Sequence, residues 1–407
     1  MTELAPLWAL CSLNDDTLKD STPSDFAFEY VDISNVTEGN ISDELESLTF
    51  GAAPSRARRL AQPDDIIIST VRTYLRAIAR VESTASQRVY STGFAVLRPV
   101  HGVVDPRYLA YVLTSDGVMD EIIATSVGVS YPAIQGSTLH RMRVPRAELD
   151  VQRAIADYLD HETGEVDAII ARLASVTREL QDRLRIVQTR AVFGLSESGE
   201  HQASESRSVL SGIPEHWDRT KFGYDFSEST ERNGDDPPGP LLSISEYRGV
   251  ELNIRTEGQQ ASLDVSKYRV VRPGQLAANM MWLNHGGLAV SSLTGYISPD
   301  YKAFWLSDRF EPRYVHHLFR SSRYVNYFAA IATGVRPNAQ RVTKTVLDAT
   351  PVPLPPLDEQ IKIADHLDEV TGRIDAMLTK VAELKSLLIE RRAALITDVV
   401  TGRKAVA

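Results

Sequence analysis

The stretch VPRAELDVQRAIADYLDHETGEVDAII (residues 144–170) returns further along the chain as VPLPPLDEQIKIADHLDEVTGRIDAML (352–378). Aligned without a gap, 14 of the 27 positions are identical, among them Leu149/Leu357, Gln152/Gln360, Asp157/Asp365, Asp160/Asp368 and Gly164/Gly372. An internal repeat constrains a fold more than any other sequence feature, because each copy must build the same supersecondary unit. The repeat continues upstream with small gaps. AQPDDIII (61–68) parallels VRPGQLAA (271–278), DPRYLAYVL (105–113) parallels EPRYVHHLF (311–319), and APLWAL (5–10) parallels IPEHWD (213–218). The chain therefore divides into a mixed segment (1–143), a helical repeat (144–193), a Ser-rich flexible linker (194–212), a second mixed segment (213–351) and a second helical repeat (352–407).

Each mixed segment holds short β-type runs bounded by turn residues: DDIIISTV, STGFAVLRP, PLLSISEY and YKAFWLS. Helical patches such as RYLAYVLTSDGVMDEIIATS are interleaved, so the expected class is α+β. In the first helical repeat, apolar residues recur in steps of three and four at Val166, Ile169, Leu173, Val176, Leu180, Leu184 and Val187. The second places Ile374, Met377, Val381, Leu384, Leu388 and Leu395 in the same register, with Arg392 the polar exception. A narrow seam of this kind asks for a partner helix, and the other copy is the obvious one. Pro356, Asp358 and Glu359 suit a helix N-terminus, where Pro tolerates the first turn and acids meet the positive dipole end. Gly164 and Gly372 are expected to kink these helices.

With 407 residues, 43% hydrophobic and 24% charged, the chain has the balance of a soluble globular protein of more than one domain. Its first residues show no basic stretch leading into an apolar one, no long apolar run occurs, and Cys11 stands alone. These features point to the cytoplasm, with no signal peptide and no membrane span. A net charge of −10 argues against indiscriminate polyanion binding, yet charge is unevenly spread. Residues 14–48 carry ten acids against Lys19, whereas 51–107 hold nine arginines and only four acids, and 301–346 hold eight basic residues against Asp308 and Glu311.

Catalytic constellations are sparse. Neither a phosphate-cradling G-x-x-x-x-G-K-[ST] nor a G-x-G-x-x-G loop occurs. DDPPGP lacks the aromatic residue of a base methyltransferase motif. Asp300-Tyr301-Lys302 and Glu383-Leu384-Lys385 match the end of a nuclease metal motif without the upstream Pro-Asp. His161-Glu162 and His316-His317 lack the second pair that a zinc site needs, so helix packing is the expected role and neither a catalytic nor a metal site is expected. NHGG (284–287) has no Ser-centred elbow to serve.

Binding chemistry is richer. Arg56, Arg58, Arg59, Arg72, Arg76 and Arg80 cluster with Tyr74 in the first mixed segment. In the second, Tyr247, Arg248, Asn279, Trp282, Asn284, His285, Arg336, Asn338, Gln340 and Arg341 fall in or near expected loops. Arg pairs with guanine, Asn and Gln with adenine, and any Arg also meets phosphate, so these seventeen residues are the candidate DNA contacts.

The PLPPLDEQIKIADHL opening and apolar seam at 353–403, the diverged copy at 145–194 and the two variable segments together resemble the specificity subunits of type I restriction-modification systems. The resemblance spans essentially the whole chain. The first copy departs where Arg146-Ala147-Glu148 replace Leu-Pro-Pro and Val151 stands in place of Glu359. The resemblance implies two target-recognition domains of mixed α/β structure joined by two long antiparallel coiled-coil helices with a pseudo-two-fold repeat. Each domain would read one half of a bipartite double-stranded DNA site. A helix from Gly164 to Phe193, about 45 Å long, spaces two readers by more than one DNA turn (about 34–36 Å). Implied partners are two methyltransferase subunits with S-adenosylmethionine and two restriction/translocase subunits with ATP and Mg2+, which leaves this chain without catalysis or cofactor of its own. Two other classes compete with it. One is a metal-dependent nuclease using Asp300 and Lys302; the other is a coiled-coil scaffold that does not bind DNA.

Overall fold

A computed structural model describes residues 3–82, 86–195, 208–234, 237–245, 249–253, 264–333 and 341–406. The chain divides into two compact units, Met1–Ala174 with Ala382–Ala407, and Ser175–Val381. Two 44-residue helices, Leu149–Val192 and Leu357–Val400, each begin in one unit and end in the other. At 1.5 Å per residue each is about 66 Å long, against the 45 Å expected. Among the described residues no helix is long and apolar enough to cross a membrane.

The first unit is built on an antiparallel sheet ordered Cys11–Leu13, Phe94–Pro99, Ile66–Ser69, Ile78–Arg80. The Ile-Ile-Ile-Ser run takes an inner position because its four residues are all buried, as a strand covered on both faces requires. The helices Pro106–Thr114 and Asp116–Thr125 cover one face. Asp105 caps the first through the amides of Arg107 and Tyr108, with Pro106 in the opening turn. The chain then bends at Ser115, an extended residue whose hydroxyl donates to Val112 O. A second sheet (Glu46–Thr49, Ala27–Val31, Arg88–Ser91, Ala57–Arg59) packs its own small cores.

The second unit repeats the first sheet as Phe226–Glu228, Tyr301–Leu306, Leu276–Asn279, Leu288–Val290. The helices Pro312–Arg320 and Ser322–Ile331 follow, again bent at an extended residue, Ser321. Where the first unit adds a four-stranded sheet, the second adds two two-stranded ones, Leu242–Ser245 with Gly249–Leu252 and Arg269–Val271 with Gly295–Ile297. The architecture is α+β, two mixed domains joined by two long helices.

Strand register corrects the upstream alignment. Glu3–Pro6 pairs with Arg143–Arg146 and Asp218–Lys221 with Pro351–Leu354, Leu4 facing Pro145 and Arg219 facing Pro353. APLWAL is therefore the counterpart of residues 220–225, not of IPEHWD, which ends on the strand's first residue, Asp218. The same pairing shows that the repeated Val-Pro lies within a short strand, with the helix starting at Leu149 and at Leu357. Within 194–212, residues 196–207 lie outside the described residues, and Val209 and Leu210 are buried in the second core rather than linker-like.

The positions shared by the two copies build a joint. Gln152 is buried; its Oε1 accepts from Asp105 N (2.8 Å) and its Nε2 donates to Ala147 O (2.8 Å). Gln360 does the same with Glu311 N (2.9 Å) and Pro355 O (2.9 Å). Arg107 bridges Asp157 and Asp160, as Arg313 bridges Asp365 and Asp368. Glu359 accepts from Trp217 Nε1 and lies 2.9 Å from His216 Nε2; the first copy has Val151 at this position. In the first unit Asp167 meets Arg392 and Tyr158 meets Lys404, so these helix segments run antiparallel. In the second, Val192 and Phe193 share a core with Ala364 and Leu367.

The seam is only partly buried. Val166, Ile374 and Leu388 are buried, and Leu173, Leu180, Leu184, Val187, Val381 and Leu395 are half-buried. Ile169, Val176, Met377 and Leu384 remain exposed, because a helix pair covers one narrow stripe and leaves its flanks in water. Both helices run without a break through Gly164 and Gly372.

Candidate nucleic-acid interface

The arginine-rich zone of the first domain is not a free basic patch. The acidic segment before it folds against it and neutralises it. Arg56 donates to Tyr30 Oη (3.0 Å) and to Asp32 (2.7 Å). Arg58 stacks over Phe50 at 4.5 Å, 3.9 Å from Asp20. Arg76 is held by Glu38 (2.7 Å), Asp116 (2.9 Å) and Thr114 O (2.9 Å). Arg80 pairs with Asp64 at 2.6 Å. Arg59 is different: its Nε is buried without a hydrogen-bond partner, and burial lowers its pKa. Arg88 and Arg98 likewise meet Glu29 and the Asp15, Asp16 and Asp65 cluster.

Arg72 and Tyr74 remain outside these pairs. They lie on the turn between Ile66–Ser69 and Ile78–Arg80, whose residues Thr73–Leu75 form a 3-10 turn. Arg72 and Arg76 flank it in the left-handed region, at φ 51° and 50°. A second loop is tied alongside: Arg72 N donates to Pro132 O (2.7 Å), Ile134 N to Thr70 O (2.9 Å), and the hydroxyls of Thr73 and Ser126 lie 2.8 Å apart. The Arg72 guanidinium sits 4.6 Å from the centre of the exposed Tyr131 ring. Sequence reading missed this loop, Val127 to Ala133. Its signal was the apolar GVSY set among polar turn residues.

The second domain presents the corresponding turn. The turn between Leu276–Asn279 and Leu288–Val290 holds a 3-10 turn at Leu283–His285, and Val342 N donates to Met280 O (3.1 Å) as Ile134 N does to Thr70 O. Trp282 and Met281 are exposed, and the His285 ring lies 5.1 Å from that of Trp282. Asn284 is half-buried beside them. Asn279 is structural, its amide donating to Tyr301 Oη (2.9 Å) and its oxygen accepting from Met281 N. Arg341 is exposed where the chain re-enters, bonded through its backbone to Thr333. Tyr247, Arg248, Arg336, Asn338 and Gln340 lie outside the described residues. The basic zone 301–346 is largely absorbed too, by Asp225, Glu228, Asp348 and the Arg313 joint.

The residues weighed for other chemistry have structural roles here. Lys302 is tied to Glu228 at 2.7 Å. His317 lies between Asp368, 2.9 Å from its Nε2, and Gln188, which donates to its carbonyl. His316 is buried with its pKa lowered to about 3, first by desolvation and then by Arg320 and His317. Among the described residues no group of three metal-ligating side chains comes together.

Comparison with known proteins agrees with this architecture. Residues 288–386 match the family described as the type I restriction modification DNA specificity domain. A putative type I restriction enzyme MjaX specificity subunit from Methanocaldococcus jannaschii is 21% identical over 334 residues, covering 76% of this chain and 72% of that protein. The StySPI specificity subunit of Salmonella potsdam is 28% identical over 91 residues, 22% of this chain and 19% of that one. A solved chain, from work on complex assembly and conformational transition of the type I R-M system, has the same fold at TM-score 0.63 and 21% identity, covering 98% of this chain and 97% of its own. Matched segment, duplicated architecture and shared fold point the same way: residues 288–386 match the type I restriction modification DNA specificity domain, and the whole chain has the fold of the solved type I R-M chain.

Proposed function

We propose that this chain reads a bipartite double-stranded DNA sequence, one half-site per mixed domain, and docks methyltransferase and restriction subunits that carry the chemistry. The observation that supports this most directly is the matched pair of loop tips. Both domains carry a 3-10 turn at the same place on the same sheet, but with unlike exposed side chains, Arg72 and Tyr74 against Met281, Trp282 and His285. One framework with two chemistries suits two unlike half-sites. The joint residues, by contrast, keep the same side chains in both copies, as a common mount for each reader requires. The long helices set the unspecified spacer, and their exposed Ile169, Val176, Met377 and Leu384 are the apolar positions for partner docking. S-adenosylmethionine, ATP and Mg2+ belong, on this reading, to two methyltransferase and two restriction subunits.

The test is to co-express the chain with its methyltransferase partner and map methylated adenines across a genome. The expected result is a motif of two short blocks separated by unspecified bases. Replacing residues 1–143 with those of another such subunit should change one block only. An ungapped motif, or a change in both blocks, overturns the reading.

A further inference from the structure

We propose that the loop closed by Val127 and Ala133, with Arg72 and Tyr74 beside it, is the base-reading tip of the first domain, and that it requires a thymine C5-methyl group in its half-site. The inference rests on the DNA-reading function above and names the residues and base chemistry responsible.

The loop is pinned rather than loose. Val127 and Ala133 exchange both backbone hydrogen bonds (2.9 and 3.0 Å), and Val71 bridges to Ala133 from the neighbouring turn. Gly128 turns the chain at φ +126°, where an added Cβ would lie 3.0 Å from Tyr131 O. On this fixed mount Val127 is 80% and Val129 101% exposed, with Tyr131 at 64%. Burying such side chains is worth about 1.5–3 kcal/mol each, so their display to water on an ordered loop gives the fold nothing. A surface that fixes apolar groups outward marks a contact.

The charge at the tip identifies the partner. Among the described residues Arg72 has no carboxylate partner, whereas Arg56, Arg58, Arg76 and Arg80 each have one. The tip thus combines an available guanidinium, held over Tyr131, with β-branched apolar side chains. In the major groove the apolar feature a base pair offers is the thymine methyl, and the guanidinium finds guanine or phosphate beside it. On the corresponding turn the second domain shows Met281, Trp282 and His285 in place of Arg72 and Tyr74, so the requirement is inferred for the first half-site.

The experiment uses the full chain in complex with its methyltransferase and duplexes carrying the mapped site. Each thymine, other than the one paired to the methylated adenine, is replaced in turn by deoxyuridine. At least one replacement in the first domain's half-site should lower methylation about fivefold to tenfold, the worth of one apolar methyl contact. Val129→Ala should abolish that sensitivity and relax the mapped motif at the same base, leaving the other half-site's response intact. Because Val129 is solvent-exposed, the variant should melt with the parent. Indifference to every deoxyuridine, a half-site with no such thymine, or an unchanged motif in both Val129→Ala and Tyr131→Ala overturns the inference. Lost association with the methyltransferase at an unchanged motif also overturns it and makes the loop a protein contact. In all these outcomes a gapped wild-type motif still stands, so failure here is distinct from failure of the bipartite reading.

Discussion

Gln152 and Gln360 explain why the repeat keeps a polar residue at a buried position. Each amide satisfies three backbone groups at once, one donor before the neighbouring helix and two carbonyls, so no smaller or apolar side chain can replace it. Gln360→Ala would remove the partner of Glu311 N, Arg309 O and Pro355 O, the last of these bonds fully buried. A loss of about 3 kcal/mol follows, to be read from urea unfolding, and a loss under about 1 kcal/mol would show that water replaces the amide. The identity of these residues was visible in the sequence; their bonding partners were not, because Gln360 and the helix it serves are some fifty residues apart.

The long helices are elements whose register was legible and whose length was not. Apolar steps of three and four marked them from Val166, but the first two turns, from Leu149, bury Gln152, Ile155, Ala156 and Leu159 against a domain. Gly164 and Gly372 are exposed, and an added Cβ at either meets nothing within 4 Å. Gly164→Ala and Gly372→Ala should therefore each stabilise the protein by about 0.5–1 kcal/mol, seen as a higher melting temperature with the methylation motif unchanged. A destabilised variant would show that the helix bends there in solution.

At the scale of the whole molecule, charge is the property that sequence order misrepresents most. The acids of 14–48 and the arginines of 51–107 look like two opposed regions, yet Asp15, Asp16, Asp20, Glu29, Asp32 and Glu38 fold onto Arg98, Arg58, Arg88, Arg56 and Arg76. Seven of the nine arginines of 51–107 are thus paired with carboxylates, which leaves Arg72, on the loop tip, available to phosphate. If Arg72 contacts a phosphate, Arg72→Ala should reduce the slope of log affinity against log salt by about 1, while Arg80→Ala, which removes a paired cation, should leave it nearly unchanged. Equal effects of the two variants would mean that the Arg80–Asp64 pair opens on DNA.

The duplication, the α+β class, the paired helices and the family resemblance were legible in the sequence alone, because periodicity and repeated spacing are local patterns that survive without knowledge of contacts. Only the tertiary structure decided which arginines are spent in ion pairs, that the repeated Val-Pro lies in a strand, and that Val129 and Tyr131 are exposed beside Arg72. The reason is physical: a side chain's availability depends on what folds against it, and those partners come from distant parts of the chain.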